Sequence, residues 1–198
     1  MRGYGRKFEV CMRVIAGKAK GHRLKSVPGS GTRPITDRAK SALFSILGND
    51  VIGCRFLDLF AGTGQVGIEA LSRGAREAVF VEMARPAVRT IYANLAHTRL
   101  DDGARVVRAD VFDFLSRTIP AEGFDYVYVA PPQYQRLWAR TMRELDERPA
   151  WLRDDGWVIV QIHPQEYEEL FLTHWELFDQ RKYGSVMLCF YVRREVDG

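Results

Sequence analysis

Three glycines stand where the chain turns from a strand-like run into a helical one. Gly62, Gly64 and Gly67 form a G-x-G-x-x-G pattern in the segment DLFAGTGQVG. Glycines there permit a tight turn and let a ligand approach the backbone at the amino end of a helix. Glu82 ends the next strand-like run, 20 residues after Gly62, at the spacing where an acid holds ribose hydroxyls. The pattern therefore predicts a cofactor that contains a ribose.

Two further carboxylates narrow the choice of cofactor. Asp58 precedes the glycine loop and Asp110 ends the third strand-like run, so both would line the same crevice as Glu82. Asp58 would repel the pyrophosphate of NAD, whereas the ammonium and sulfonium groups of S-adenosylmethionine suit an acidic crevice. The pattern favours S-adenosylmethionine, with Glu82 on the ribose, Asp110 on the adenine amino group, and Phe60 or Phe112 packed against the cofactor. NAD remains the alternative.

The segment YVYVAPPQY, residues 126–134, ends a strand-like run with two prolines. Prolines fix the backbone, and in open α/β sheets ligands bind outside the carboxyl ends of the strands. The rigid backbone there indicates a candidate functional site, made of Ala130, Pro131, Pro132, Gln133 and Tyr134.

Strand-like and helical segments alternate through the middle of the chain. Apolar runs at 54–60, 77–83, 104–110, 124–130 and 156–162 are separated by helical patterns near 65–73, 85–97, 111–117 and 135–147. This alternation predicts βαβ units and a parallel sheet covered on both faces. Two last runs, on either side of Gly184, predict an antiparallel hairpin. The predicted fold class is α/β: a Rossmann-like, doubly wound, mostly parallel seven-stranded sheet with an antiparallel C-terminal hairpin.

The start of the chain predicts a smaller unit. Two short strand-like runs within residues 12–27 predict a β-hairpin, and a helix is predicted from Thr36 or Asp37 to Gly48. Residues 1–40 contain eleven Lys and Arg but two acids, about +9, so the remaining residues must sum to about −5 to give the net +4. A basic arm on a mildly acidic body indicates polyanion binding, with a solvated terminal face as the alternative.

Composition limits the class of protein further. The 198 residues are 46% hydrophobic and 27% charged, as in an ordinary globular domain. No run approaches the ~20 apolar residues of a membrane span, and no secretory signal is recognisable. The three cysteines and four histidines show neither disulfide nor metal spacing. We expect a cytoplasmic monomer with no metal and no membrane association.

The motifs resemble those of a known family. The glycine loop, with VFVEM and RAD, resembles class I S-adenosylmethionine-dependent methyltransferases. MRVIAGKAKGHRL followed by TRPITDRAKSALFSIL resembles the RsmD family, bacterial methyltransferases of guanine N2 in 16S ribosomal RNA, from about Met12 to Arg193. The resemblance implies that Glu82 binds the ribose and that Asp110 with Val111 binds the adenine. It also implies that a loop holds the methionine part of the cofactor, through Asp58, Phe60, Ala61, Gly62, Thr63 and Gly64.

The same resemblance implies the partner and the division of the chain. The partner is 16S ribosomal RNA, within the small ribosomal subunit or an assembly intermediate. Residues 1–11 are an N-terminal extension or the product of a mis-chosen start, because family members commonly start at the position of Met12. Residues 12–50 form a basic RNA-facing appendage, and residues 51–198 the methyltransferase domain. The residues expected to face RNA are Arg13, Lys18, Lys20, Arg23, Lys25, Arg33 and Arg38.

One motif departs from the family. The fourth motif of the RsmD family is Asp-Pro-Pro-Tyr, whereas this sequence has Ala130-Pro131-Pro132-Gln133. We expect the main-chain carbonyls of Ala130 and Pro131, helped by the Gln133 amide, to replace the missing acid, and Tyr134 to supply the aromatic ring one residue later. The alternatives are a related methyltransferase with a different RNA target, a protein that binds cofactor and RNA without catalysis, and an NAD-dependent oxidoreductase.

Overall fold

The computed structural model describes residues 12–27 and 35–195, which form a seven-stranded sheet in the order β3-β2-β1-β4-β5-β7-β6. Strands β1 to β5 pair in parallel, and β7 runs antiparallel to both β5 and β6. The predicted mostly parallel sheet with an antiparallel C-terminal hairpin is confirmed. The strands are β1 (Arg55–Leu59), β2 (Glu77–Val81), β3 (Ala104–Val107), β4 (Phe124–Val129), β5 (Leu152–Ile162), β6 (Trp175–Tyr183) and β7 (Val186–Arg193).

Five α-helices accompany the strands in the described residues. They are α1 (Asp37–Leu47), α2 (Gln65–Ser72), α3 (Arg85–Thr98), α4 (Val111–Arg117) and α5 (Leu137–Glu147). Helix α1 begins as predicted, because the Thr36 hydroxyl accepts the N–H of Ala39 at 3.2 Å. It ends at Gly48, which has a φ of 57°.

Alternate strand residues face two separate apolar layers. Phe56, Phe80 and Tyr128 point to one face, where they pack with α1, α2 and α3. Leu57 and Val127 point to the other face, where they pack with α4 and α5. Burial on both faces explains why the strands read as continuous apolar runs rather than alternating ones.

The N-terminal hairpin is reduced to one antiparallel bridge, between Arg13 and Arg23. The bonds that continue it are Val14 N–H to His22 O, 3.0 Å, and Leu24 N–H to Met12 O, 2.8 Å. It does not extend into two regular strands, because the next amides, those of residues 15 and 16, bond to a side chain of α2 instead. We call residues 12–27 the basic hairpin.

A buried carboxylate fixes the basic hairpin on α2. Glu69, fully buried, accepts the N–H groups of Ile15 at 2.7 Å and Ala16 at 3.0 Å. The equally buried Lys40 of α1 lies 3.8 Å from the same carboxylate and donates to Arg13 O at 2.6 Å. Burial lowers the pKa of Lys40, while Glu69 raises it. Breaking either partner would leave an uncompensated charge in the core, so the hairpin is attached firmly.

The division of the chain at residue 50 stays a prediction. Met12, Val14, Ala19 and Leu24 of the basic hairpin belong to the same apolar layer as α2 and the sheet. Residues 1–11, the predicted extension, lie outside the described residues. No helix in the described ranges is long and apolar enough to cross a membrane.

Candidate functional site

The order in which the chain adds strands reverses between β1 and β4, which run parallel, and ligands bind at such a point in open α/β sheets. Leu59 of β1 pairs with Val129 of β4. The residues that follow, Phe60 and Ala130, therefore leave the sheet side by side at its carboxyl edge. The glycine loop and the Pro-Pro corner, here residues 60–64 and 130–134, are thus neighbours. The sequence predicted this position for both.

The glycine loop has the conformation of a ligand cradle. Gly62 and Gly64 have φ values of 56° and 75°, and the Gly64 N–H donates to Ala61 O at 2.7 Å. A Cβ on Gly62 would have one neighbour within 4 Å, Phe60 O at 3.9 Å, so the space above this residue is open. Phe60 itself has a φ of 61°, which is costly for an aromatic residue. A half-buried backbone turn with open space above Gly62, at the amino end of α2, suits the charged methionine part of S-adenosylmethionine.

The third glycine of the pattern serves packing. A Cβ on Gly67 would lie 2.4 Å from Cε1 of Phe80, a buried side chain of β2. The Gly67 N–H donates to the carboxylate of Asp58 at 3.0 Å. Asp58 is therefore bonded to the first turn of α2 and is 2% exposed. Burial raises the pKa of Asp58 to about 8, against the bond from Gly67 and together with the charge of Glu82.

Glu82 closes the glycine loop from the end of β2. Its Oε2 accepts the N–H of Gly62 at 2.9 Å and its Oε1 accepts that of Ala84 at 2.8 Å. The side chain is half-buried at the rim of the crevice. Each carboxylate oxygen has a second lone pair, so the same group can hold a ribose hydroxyl while it orders the loop.

Asp110 and Phe112 lie at the start of α4. Asp110 caps this helix, because its Oδ1 accepts the N–H of Phe112 at 2.8 Å and that of Asp113 at 3.2 Å. Its Oδ2 has no partner among the described residues, so it is available to an amino group. The Phe112 ring meets the Phe60 ring edge-on at 6.3 Å, and the guanidinium of Arg140 lies 3.6 Å from its centroid.

Two further residues of the cofactor prediction are Val111, which is buried in the layer beneath α4, and Thr63. The Thr63 carbonyl accepts from the side chain of Asn94 at 3.0 Å. No sequence pattern pointed to Arg140 or Asn94, because each reaches the site from a helix remote in the chain. The parts of a nucleoside pocket are present, and the role of each residue remains a prediction.

The Pro-Pro corner presents free acceptors. Ala130 N–H donates to Leu59 O at 3.4 Å, whereas no described residue donates to the carbonyl of Ala130 or of Pro131. The amide of Gln133 is half-buried and likewise has no hydrogen-bond partner among the described residues. Pro132 is exposed. Tyr134 is 66% exposed, with a φ of 61° and its ring 5.9 Å from that of His163.

A residue absent from the sequence-based set, Glu166, holds the corner. Its Oε1 accepts the N–H of Tyr134 at 2.6 Å, and its Oε2 accepts the N–H of His163 at 3.3 Å. The carbonyl of Glu166 accepts the indole N–H of Trp138 at 3.2 Å. The signal was the His163-Pro-Gln-Glu166 spacing, a capping box that begins a turn after β5. It fixes an acid at the corner from a neighbouring strand.

The predicted RNA-facing cations are exposed where the structure describes them: Arg13, Lys18, Lys20, Arg23, Lys25 and Arg38. Arg33 lies outside the described residues. Arg13 pairs with Asp37 at 2.9 Å, with side chains 60% and 37% exposed, so solvent screens the pair. The described residues contain no cluster of three or more His, Cys, Asp or Glu that could hold a metal.

One amide joins the basic hairpin to the glycine loop. Besides its bond to the Thr63 carbonyl, Asn94 accepts the N–H of Lys25 at 2.8 Å and donates to Lys25 O at 3.2 Å. Asn94 is fully buried. The predicted RNA-facing segment and the predicted cofactor loop are therefore bonded to the same side chain.

Comparison with known proteins decides the family. A family model described as conserved hypothetical protein 95 matches residues 12–192. The chain belongs to this family, the RsmD family. It is 38% identical over 186 residues to YlbH of Bacillus subtilis, which covers 92% of this chain and all of that protein. It is 32% identical to ribosomal RNA small subunit methyltransferase D of Escherichia coli, over 94% and 92% of the two chains.

Solved structures agree with this membership. The structure of yhhF from Escherichia coli superimposes with a TM-score of 0.79 at 32% identity, over 93% of this chain and 98% of that one. Membership of the RsmD family confirms the predicted enzyme class, an S-adenosylmethionine-dependent RNA methyltransferase. The S-adenosylmethionine prediction is confirmed with it, and the NAD alternative is set aside.

Proposed function

We propose that this member of the RsmD family methylates the exocyclic N2 of a guanine in 16S ribosomal RNA. The observation that carries the proposal is a group of acceptors at the Pro-Pro corner to which no residue in the described ranges donates, namely the carbonyls of Ala130 and Pro131 and the amide oxygen of Gln133. One relative of this chain is named ribosomal RNA small subunit methyltransferase D, and that name supports ribosomal RNA as the substrate class.

The acceptors match what an exocyclic amine requires. The lone pair of guanine N2 is delocalised into the ring, so the amine is a poor nucleophile until its N–H bonds are directed. Carbonyl oxygens of Ala130 and Pro131 accept those hydrogens and turn the lone pair toward the cofactor crevice. The Gln133 amide oxygen supplies a third acceptor. Orientation of this kind lowers the barrier without a charged base.

Bound S-adenosylmethionine supplies an activated methyl group on its sulfonium. We assign the cofactor to the glycine loop, with Glu82 on the ribose and the free Oδ2 of Asp110 on the adenine amino group. As the N–C bond forms, the C–S bond breaks, and the methylated amine passes its surplus proton to water. Tyr134 stacks on the guanine once the base has left its helix or loop.

The setting of the reaction belongs to the same proposal. The exposed cations of the basic hairpin and Arg38 contact RNA phosphates. The enzyme acts as a monomer in the cytoplasm, on the small ribosomal subunit or an assembly intermediate. The residues from 12 to 50 then form the RNA-facing part, and those from 51 to 198 the catalytic part.

Methyl transfer to defined RNA tests the proposal. Labelled S-adenosylmethionine is incubated with 30S particles and with naked 16S RNA that both lack the family's modification, and the labelled nucleosides are separated. The expected product is N2-methylguanosine. A different labelled nucleoside would assign another RNA target. If cofactor and RNA both bind but no label appears, and Ala130→Asp then gains transfer, the protein binds without catalysis and the proposal fails.

A further inference from the structure

A basic pocket lies far from the predicted active site, between the tip of the basic hairpin and the end of α3. It is a cavity of about 480 Å³. Four of its six lining residues carry basic side chains, and none is a carboxylate. The lining residues are Lys18, His22, His97, Thr98, Arg99 and Leu100. We call this cavity the tip pocket.

Backbone bonds fix the walls of the tip pocket. The N–H of Lys18 donates to Ser72 O, at the end of α2, at 2.7 Å. A Cβ on Gly17 would lie 1.8 Å from the same carbonyl oxygen, so only glycine lets the hairpin tip approach so closely. Arg99 ends α3 with a φ of 55°, which turns the chain at that point. The side chains of Lys18 and Arg99 make no ion pair with any described residue.

Two imidazoles form one side of the pocket. The His22 and His97 rings lie 5.3 Å apart in an edge-to-face arrangement. Nδ1 of His22 bonds to Ala19 O at 2.9 Å. Because a carbonyl only accepts, this nitrogen carries the proton. Asp101 and Asp102 follow the pocket in sequence and are exposed, but neither lines it.

The pocket lies at the edge of the sheet opposite the catalytic corner. Helix α3 begins beside Glu82 at the carboxyl edge and has 14 residues, so it reaches about 21 Å toward the amino edge. The basic hairpin lies along this helix, because Lys25 bonds to Asn94 in the middle of α3 and Lys18 lines the tip pocket with Arg99 at its end.

We propose that the tip pocket binds a backbone phosphate of the RNA substrate at a distance from the methylated guanine, near the opposite edge of the sheet. Lys18 and Arg99 supply the charge, and the imidazole N–H of His97 supplies a further hydrogen-bond donor, while His22 packs edge-to-face against His97. A basic pocket whose described lining contains no carboxylate suits a phosphodiester, which has one negative charge and strong acceptor oxygens. This inference rests on the proposed function, because it requires an RNA substrate at the corner.

A pair of matched double variants tests the proposal. Lys18→Gln with Arg99→Gln removes two pocket charges, and Lys182→Gln with Arg105→Gln removes two exposed charges elsewhere. Binding of unmodified 16S RNA is measured against salt concentration, in buffer without phosphate. The pocket variant should bind about tenfold more weakly and lose ~1 from the slope of log affinity against log salt, since each phosphate contact contributes about 0.9. Its affinity for S-adenosylmethionine should equal that of the wild type.

The control variant separates the outcomes. Equal RNA binding by the two double variants would overturn the tip pocket while leaving the proposed function intact. Failure of the wild type to bind or methylate RNA would overturn the proposed function itself. Inorganic phosphate can be added as a competitor of RNA binding. If it competes equally well with short and long RNAs, the pocket binds a free anion and the proposal of an RNA phosphate is overturned. His97→Ala should also weaken RNA binding, and binding equal to that of the wild type would overturn the contact between His97 and the phosphate.

Discussion

The glycine loop and the Pro-Pro corner leave adjacent strands, yet they are held in different ways. The loop is bonded from within: Asp58, Glu82 and Asn94 each bond its backbone or the helix that follows it. The corner is held from outside by Glu166, and no described residue donates to the carbonyls of Ala130 and Pro131. The cofactor side is thus built in advance, whereas the acceptor side keeps its polar groups for a substrate.

The largest effect of a substitution on stability is expected at Asp58, the buried carboxylate that bonds to the helix after the glycine loop. An unfolded Asp titrates near pH 3.9, whereas the folded pKa is about 8. The folded protein therefore holds a proton that the unfolded chain releases, and the free energy of unfolding falls as pH rises from about 4 to 8. Asp58→Asn keeps an acceptor for Gly67 and removes this loss, which amounts to at most ~1.4 kcal/mol per pH unit.

Denaturant unfolding of both proteins at several pH values measures this difference. The stability of Asp58→Asn relative to the wild type should grow steadily across the window from pH 4 to 8. Asp102→Asn, at an exposed position, serves as the control and should show no such trend. A pH-independent difference between Asp58→Asn and wild type would show that Asp58 is ionised when folded, and that its charge is compensated in the loop.

The second-largest effect on stability distinguishes Gly67 from Gly62 of the glycine pattern. Gly67→Ala places a methyl group 2.4 Å from Phe80, and overpacking of this kind costs roughly 1–3 kcal/mol of unfolding free energy. Adding Phe80→Leu should recover part of that loss. Gly62→Ala meets no atom closer than 3.9 Å, so its cost is the left-handed φ alone, about 1 kcal/mol.

Cofactor affinity gives the opposite order for the two glycines. Isothermal titration with S-adenosylmethionine should show a larger loss for Gly62→Ala, because its methyl group enters the open crevice. Gly67→Ala, below the loop, should bind nearly as well as wild type once folded. If the two variants lost cofactor affinity equally, the division between a ligand glycine and a packing glycine would be wrong.

The same contrast explains what the sequence could predict. Strands and helices were predictable because apolar runs alternate regularly, and the crevice because Gly62, Glu82 and Asp110 occupy fixed places after strands. The burial of Asp58 could not be predicted, because the sequence does not show whether the side chain of a strand residue faces solvent or bonds to a residue such as Gly67. Glu166 and Arg140 reach the site through tertiary packing, and no local pattern links them to residues about 30 positions away. That the basic hairpin lacks two regular strands could not be predicted either, because its backbone N–H groups bond to Glu69, which is remote in the sequence.

A third prediction concerns the support of the corner. Glu166→Gln retains one acceptor but presents an amide N–H₂ to the second backbone N–H, so either Tyr134 or His163 loses its bond. We expect kcat for methyl transfer to fall about tenfold, about 1.4 kcal/mol, with cofactor affinity unchanged. Glu168→Gln breaks the exposed ion pair to Arg136 in the same segment and should change kcat less than twofold. Identical behaviour of the two variants would assign Glu166 to the fold rather than to the alignment of the corner.

The smallest effect is expected from the hydroxyl of Tyr134. Stacking on an extruded base uses the ring, and the hydroxyl makes no hydrogen bond with any described residue. Tyr134→Phe should therefore keep kcat and the RNA KM within twofold, whereas Tyr134→Ala should raise KM about tenfold, as expected when a stacking contact worth ~1–3 kcal/mol is lost. All three residues carry a Cβ at the same φ of 61°, so backbone strain does not distinguish them. A large loss in Tyr134→Phe would mean that the hydroxyl contacts the substrate, and that the corner recognises the base by a hydrogen bond as well as by stacking.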